Sequence, residues 1–298
     1  MVIFSFLLYY LIILPISLLP FKVLYVISDG LYFLLYKCFG YRRKVVQTNL
    51  KNSFPTKTKE ELKTIERAFY HHLCDVFVET FKSFSISQTE INKRMVITNP
   101  EVMDVFFDQG RNVLIAGGHY NNWEWFAVGL DQQIKHQSVA LYTPLRNKFF
   151  EGKMRTSRGK YGLQMVSIKE VVRFFETKGP KPTATVFAVD QSPRNALKCH
   201  WMTFLNQETG VMYGLEKYAR EFDAPVVFGT ISKIRRGYYE TSFRLITAHP
   251  NNEPANHIIE TATRMLEADI LKSPHSWLWT HRRWKRKRPA SISDQTSV

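Results

Sequence analysis

The sequence predicts an α/β protein with a mainly parallel sheet covered on both faces by helices, preceded by an apolar N-terminal membrane helix or hairpin. Three observations carry this. Short apolar runs alternate with amphipathic stretches along the chain, the pattern of strands joined by crossover helices. One run, Val113 to Ala116, stops at Gly117-Gly118 and is followed by His119, which delivers a polar group to the carboxyl end of a strand, where open sheets bind ligands. From Val2 to Phe21 there is no charged residue. At 298 residues the chain suffices for one large α/β domain or two small ones.

Taken in order, the first twenty or so residues are apolar enough to cross a bilayer, although Pro15 and Pro20 kink or end such a helix. No basic region precedes the run and no small-residue cleavage site follows it, which favours an uncleaved anchor over residues 1–40 rather than a signal peptide. A hairpin dipping into one leaflet, with Pro20 and Gly30 near its bend, is the alternative. Arg42-Arg43-Lys44 then places the remaining chain, 41–288, on the cytoplasmic side. Thr58 and Glu61 form a capping box ahead of a long amphipathic helix carrying Ile65, Phe69, Leu73, Val76, Phe77 and Phe81; His71 and His72 beside it read as packing or surface.

The stretch after the central strand carries the chemistry. His119 and Glu124, separated by four residues across a turn entering a helix, can fold back so that the carboxylate holds one imidazole nitrogen. The other nitrogen is then free to take a proton from a hydroxyl or an amine. The helix terminus disfavours imidazolium and keeps His119 neutral. No serine or cysteine lies in the motif, so the substrate itself is the nucleophile, as in direct acyl transfer from a thioester, with backbone amides near the turn holding the oxyanion.

Gln137 to Tyr142 reads as a second strand, followed by a basic stretch with Lys148, Lys153, Arg155, Arg158 and Lys160, whose arginines suit a phosphate or carboxylate or simply decorate a helix. Val166 to Glu176 reads as a helix, and Ala184 to Val189 as a strand that brings Asp190 to the same sheet edge as His119. A turn cap is the alternative role for Asp190. Val211 to Phe222 is a helix pattern, Pro225 to Ile231 and Tyr238 to Thr247 are strands paired through Arg235-Arg236-Gly237, and His257 to Ile270 is a helix. From Pro289 onward the tail (289–298) reads as disordered.

The net charge of +15 calls for an acidic partner. Nucleic acid is set aside because no zinc finger, RNA-recognition or helix-turn-helix signature accompanies the charge. An anionic membrane surface suits the apolar N-terminus and the terminal run from His281 to Arg288 with Trp284, and an acidic carrier protein suits it equally. Cys38, Cys74 and Cys199 match no zinc or disulfide spacing and suggest a reducing compartment.

Together, several blocks resemble one family, the lipid A biosynthesis acyltransferases, within the wider lysophospholipid acyltransferases. They are Asn49-Leu50 with Ser53-Phe54-Pro55, Gly118-His-Tyr-Asn-Asn-Trp-Glu124, Pro144-Leu-Arg-Asn147, Arg158-Gly-Lys-Tyr-Gly162, Asp190-Gln191, and Trp277-Leu-Trp-Thr-His-Arg-Arg-Trp284. The resemblance implies a glycerol-phosphate-acyltransferase-like fold at the cytoplasmic face of the inner membrane. It implies acyl groups supplied by acyl carrier protein as co-substrate, with no cofactor or metal, and His119 as general base oriented by Glu124. Arg158 and Asp190 look like the family's supporting charged pair. Asn122, Arg146 and Gln191 join them from the same blocks as supporting or substrate-binding residues. The implied acceptor is a hydroxyl of a lipid A precursor, with a lysophospholipid or an amino-acid lipid as the alternative, and a non-catalytic membrane adaptor the alternative of another class. Two departures bear on the site: Asn121 stands where relatives have glycine, and Thr203 to Thr209 replaces a Phe-Phe-Gly block near the acceptor side.

Overall fold

The computed structural model describes residues 2–177 and 179–290. The tail expected to be disordered therefore lies, beyond Ala290, outside the described residues. Helix α1 (Val2–Leu8) runs through a π-helical turn, Tyr9–Ile13, into α2 (Leu14–Leu18), and α3 (Phe21–Tyr32) continues as a π-helical turn to Cys38. Between them Leu19 is extended, because the ring of Pro20 excludes the residue before it from helical geometry. The apolar run is thus broken at Pro20, as expected of that residue, while Gly30, expected near a bend, lies inside α3. Among the described residues no single helix is long and apolar enough to cross a membrane; one pair, Phe21–Cys38 with Arg43–Ser53, has the length and composition together but is bent by 85°. Ile3, Phe4, Leu11, Leu18, Val26 and Phe33 are each more than half exposed, a concentration of apolar surface far above that of scattered surface leucines.

Helix α4 (Arg43–Ser53) leads to α5 (Lys59–Lys82), which opens on the expected capping box: the Glu61 amide donates to Thr58 Oγ1 and the Thr58 amide to Glu61 Oε2. Then come α6 (Gln88–Arg94), β1 (Met95–Ile97), α7 (Glu101–Asp108), β2 (Val113–Gly117), α8 (Trp123–Gly129), β3 (Gln137–Tyr142), α9 (Lys148–Gly159), β4 (Gln164–Ser167), α10 (Val171–Glu176) and β5 (Thr183–Ala188). A hairpin, β6 (His200–Phe204) and β7 (Gln207–Val211), precedes α11 (Gly214–Glu221), β8 (Val226–Arg235), β9 (Tyr238–Thr247) and α12 (His257–Lys272).

Seven strands form one sheet in the order β1-β9-β8-β2-β5-β3-β4. All neighbours are parallel except β8 and β9, the pair turned through Arg235-Arg236-Gly237. β2 lies at the centre because its uninterrupted apolar run can be covered on both faces. Leu114 and Ala116 pack towards α11 and α12, whereas Val113 and Ile115 pack towards α6, α7 and α8. From β2 the chain passes to β3 and β4 on one side, and only later to β8 on the other. The crevice above the ends of β2 and β5 is therefore a topological switch point.

Two helices differ from the sequence prediction. The helix expected over Val166–Glu176 begins as strand β4 and becomes helical only at Val171. The helix expected from Val211 starts at Gly214, and the residues before it complete a hairpin. That hairpin turns at Leu205 and Asn206, both with positive φ (49° and 59°), the backbone a tight two-residue turn demands. Its Asn206 and Gln207 side chains donate to the Ser53 carbonyl and hydroxyl.

Candidate active site

His119 leaves β2 on a loop fixed from several sides. The Asn121 amide donates to the Ser276 carbonyl, the Leu278 amide to the His119 carbonyl, and Tyr120 bridges Trp277. Asn121 adopts the left-handed backbone expected of it (φ 52°) and its side-chain amide donates to the Ile231 carbonyl. The closing segment, 277–281, is held in turn by Asn49, whose amide donates to the carbonyls of Trp279 and His281. Two of the blocks singled out in the sequence thus exist to brace the loop of a third.

Asp190, at the end of β5, is buried and is the residue that holds His119. Its Oδ1 lies 2.8 Å from His119 Nδ1, and its Oδ2 accepts from the His119 backbone amide at 2.7 Å and from Trp277 Nε1 at 2.9 Å. An ionised carboxylate at Nδ1 fixes the proton there and leaves Nε2 as the accepting nitrogen. Burial pushes the Asp190 carboxyl up, but the charge of His119, the two bonds it donates and the Trp277 bond together hold it well below the usual range. Burial alone would lower the pKa of His119; the charge and hydrogen bond of Asp190, with a further contribution from Glu124, outweigh it, and the net shift is upward. The shift runs opposite to the one expected from a helix terminus. The neighbouring carboxylate is charged and in contact, and a partial dipole cannot match it.

Glu124 is the second correction. It lies in the first turn of α8, from where its side chain reaches α9 and receives Arg158 Nε and Nη2 at 2.9 and 2.6 Å, a bidentate pair. Its carboxylate bonds Arg158 and not the His119 ring, and its charge adds to the upward shift of the His119 pKa. Arg158 and Asp190, expected as one charged pair, accordingly belong to two different pairs. Of the amides after the turn, those of His119, Tyr120 and Asn121 are spent on Asp190, Gly118 and Ser276.

Two cavities meet at His119. The first, about 180 Å³, enters the layer between the sheet and α8 and is walled by Ile115, Phe126, Ala127, Leu163, Met165 and Val186. The second, about 390 Å³, is polar and carries Glu151, Arg155, Arg158 and Gln191. His119 and Arg158 line both. Of the remaining candidates, Gln191 faces the polar cavity, Arg146 is exposed and lines neither, and Asn122 is wholly buried. Asn122 accepts from the Trp125 amide as the cap of α8 and donates to Glu79 Oε2 at 2.6 Å.

Sequence reasoning missed Glu79 and Trp277. Glu79 is fully buried and also accepts from Tyr239 and Tyr25. Its signal was present: an acidic residue at helical spacing from Val76 and His72, on the buried face of α5. The position of Trp277 behind Asp190 depends on a long-range bridge with no local signature.

Gly118 is required by close approach. A Cβ there would lie 2.7 and 2.8 Å from the Leu266 methyls and 3.2 Å from Asp190 Oδ2. Gly118→Ala is expected to lower turnover about tenfold or more by displacing the His119–Asp190 pair, with little effect on folding, as steady-state kinetics and a melting curve will show.

A carboxylate-held histidine between a hydrocarbon-lined cavity and a cationic one is the equipment of a transferase of acyl groups. The model of the bacterial lipid A biosynthesis acyltransferases matches residues 1–286, and the chain belongs to that family. It is similar to the lipid A biosynthesis palmitoleoyltransferase of Escherichia coli (strain K12), 22% identical over 255 residues, covering 83% of this chain and 79% of that protein. A lipid A biosynthesis acyltransferase of Shigella flexneri is similar to the same extent. The chain is thus a member of an acyltransferase family.

Proposed function

We propose that the protein transfers a fatty acyl chain from acyl carrier protein to a hydroxyl of a lipid A precursor, with His119 as general base. The observation that carries this is the free Nε2 of His119 where the apolar and polar cavities join. The acyl chain lies in the apolar cavity with its thioester carbonyl at the mouth. His119 Nε2 takes the hydroxyl proton as the acceptor oxygen bonds to the carbonyl carbon. The carbon–sulfur bond then breaks, and the imidazolium returns the proton to the departing thiolate. Asp190 stabilises the imidazolium; Arg158, close enough to act on the charge of His119, stabilises the developing oxyanion, with Glu124 holding its guanidinium in place.

Work takes place at the cytoplasmic face of the inner membrane in this reading. Support comes from α9, which walls the polar cavity and is tied to the exposed apolar helices: Asn147 donates to Ser5, and Lys153 to Tyr10. A lipid acceptor therefore has a short path from bilayer to His119. In the basic terminal segment Arg282, Lys285, Arg286 and Lys287 are exposed and suit an anionic surface, whereas two residues turn inward. Trp284 donates to Thr209 and stacks near Phe204, and Arg283 is buried with a bond to the Gly210 carbonyl, so both serve the fold.

The test is an assay with acyl carrier protein thioester and a purified lipid A precursor, the product identified by mass. One added ester-linked acyl group, absent with His119→Ala, is expected. A product formed only on a lysophospholipid or an amino-acid lipid would move the acceptor, and an acyl amide would exclude the hydroxyl. Ala127→Phe, on the α8 wall of the cavity, is expected to shift preference to shorter acyl donors while short-chain turnover is retained, as competition between thioesters will show.

A further inference from the structure

We infer that a second apolar pocket, between β5, α10 and α11, holds a hydrocarbon tail of the acceptor lipid. This rests on the acyl-transfer reading and adds to it a place for the second substrate. The pocket measures about 210 Å³, close to the 180 Å³ of the donor cavity. Its walls include Val171, Phe187, Met212, Leu215 and Tyr218, and among the described residues no charged one lines it.

Its position sets its occupant. The pleat of the sheet sends alternate side chains to opposite faces, so Val186 packs towards α8 while Leu141 and Phe187 pack towards α11. The two apolar pockets therefore reach towards different helices, the first towards α8 and the second towards α11, and share Leu141, Val186 and Ala188 between them. The polar cavity with His119 sits over the strand ends, shares Leu141 with both, and shares Ile168 and Gln191 with the second. Joining two lipids requires each hydrocarbon to stay out of water while the reacting groups meet in a polar space. One chain is accommodated beside α8, where His119 and Glu124 line the mouth, and the pocket beside α11 is continuous with the polar cavity on its acceptor side.

Gly214, the first residue of α11, makes the test specific. A Cβ there has Phe187 as its nearest neighbour, at 3.9 Å, so a side chain enters the pocket without a clash. With an acylated glucosamine disaccharide bearing long or hexanoyl tails as acceptor probe, Gly214→Leu is expected to raise KM for the long-tailed form about tenfold, the loss expected when two methylenes are no longer buried. KM for the hexanoyl form and for the thioester donor should move less than about twofold, a tail-length-dependent split. Equal rises for both acceptors, a rise for the donor, or no change would overturn the assignment. If Gly214→Leu does not fold, the native protein and a long-tailed acceptor carrying a photoactivatable diazirine decide. Label in 212–218 is expected, and label confined to the α8 cavity or to another chain seated on this face overturns it. Absence of any acylated product from the native protein would instead sink the acyl-transfer reading itself.

Discussion

Asp190→Asn is expected to lower turnover about 10²-fold to 10⁴-fold, close to the loss from His119→Ala, and to move the acidic limb of the pH–rate profile to lower pH. Both effects follow from one contact. In the native protein the carboxylate fixes the Nδ1 proton, so that Nε2 accepts; an amide can present its NH₂ to Nδ1 and favour the opposite tautomer. The base works only when neutral, so activity rises as pH passes upward through the His119 pKa. Asp190 holds that pKa up against burial, and removing the charge lets it fall. Turnover measured across pH in the two variants checks both signs. Glu124→Gln discriminates between the two carboxylates. It weakens a bidentate pair to Arg158 but leaves the Nδ1 bond intact, so its loss is expected to be smaller and to fall on the oxyanion side. A Glu124→Gln variant as poor as Asp190→Asn would restore Glu124 as the orienting group.

Glu79→Ala is expected to destabilise the protein by about 3 kcal/mol or more, because two buried donors, on Asn122 and Tyr239, and a half-buried one, on Tyr25, lose their acceptor. Urea or thermal unfolding in detergent will measure it. The same carboxyl gives a pH signature. Burial, reinforced by Asp75 and partly offset by the Tyr239 bond, pushes its pKa up to about 7 from an ordinary 4.5. A carboxyl raised in the folded state contributes stability that is present below its unfolded pKa and lost as pH rises through the folded value. Native stability should therefore decline between about pH 5 and 7, and Glu79→Gln should flatten that decline. Since Glu79 anchors Asn122, which caps α8, the Ala variant should also lose turnover without any change at a residue lining either cavity.

The sequence made the sheet and its central histidine legible because apolar runs ending at Gly117-Gly118, and alternating with helical periodicity, have few other solutions. What stayed hidden was pairing. His119 and Glu124 are near in sequence, and proximity suggested a bond; but helix α8 begins at Trp123 and turns Glu124 towards α9, while parallel registration of β2 with β5 brings Asp190 to the ring from seventy-one positions away. Strand β4 was lost because four residues cannot separate a strand from a helix by period alone. Arg283 and Trp284 read as part of a contact for an anionic membrane because composition does not reveal that hairpin β6–β7 receives them.

The brace between Asn49 and the segment 277–281 has a consequence for synthesis. The carboxylate that holds the base is itself held by Trp277, and the loop of His119 by Ser276 and Leu278. A ribosome-bound chain that has already emitted the apolar helices, the histidine and the aspartate still lacks the strap that aligns them. The ring of His119 is therefore aligned only once residues 276–281 have been made and docked, so a nascent chain that stops short of them carries His119 and Asp190 without their brace.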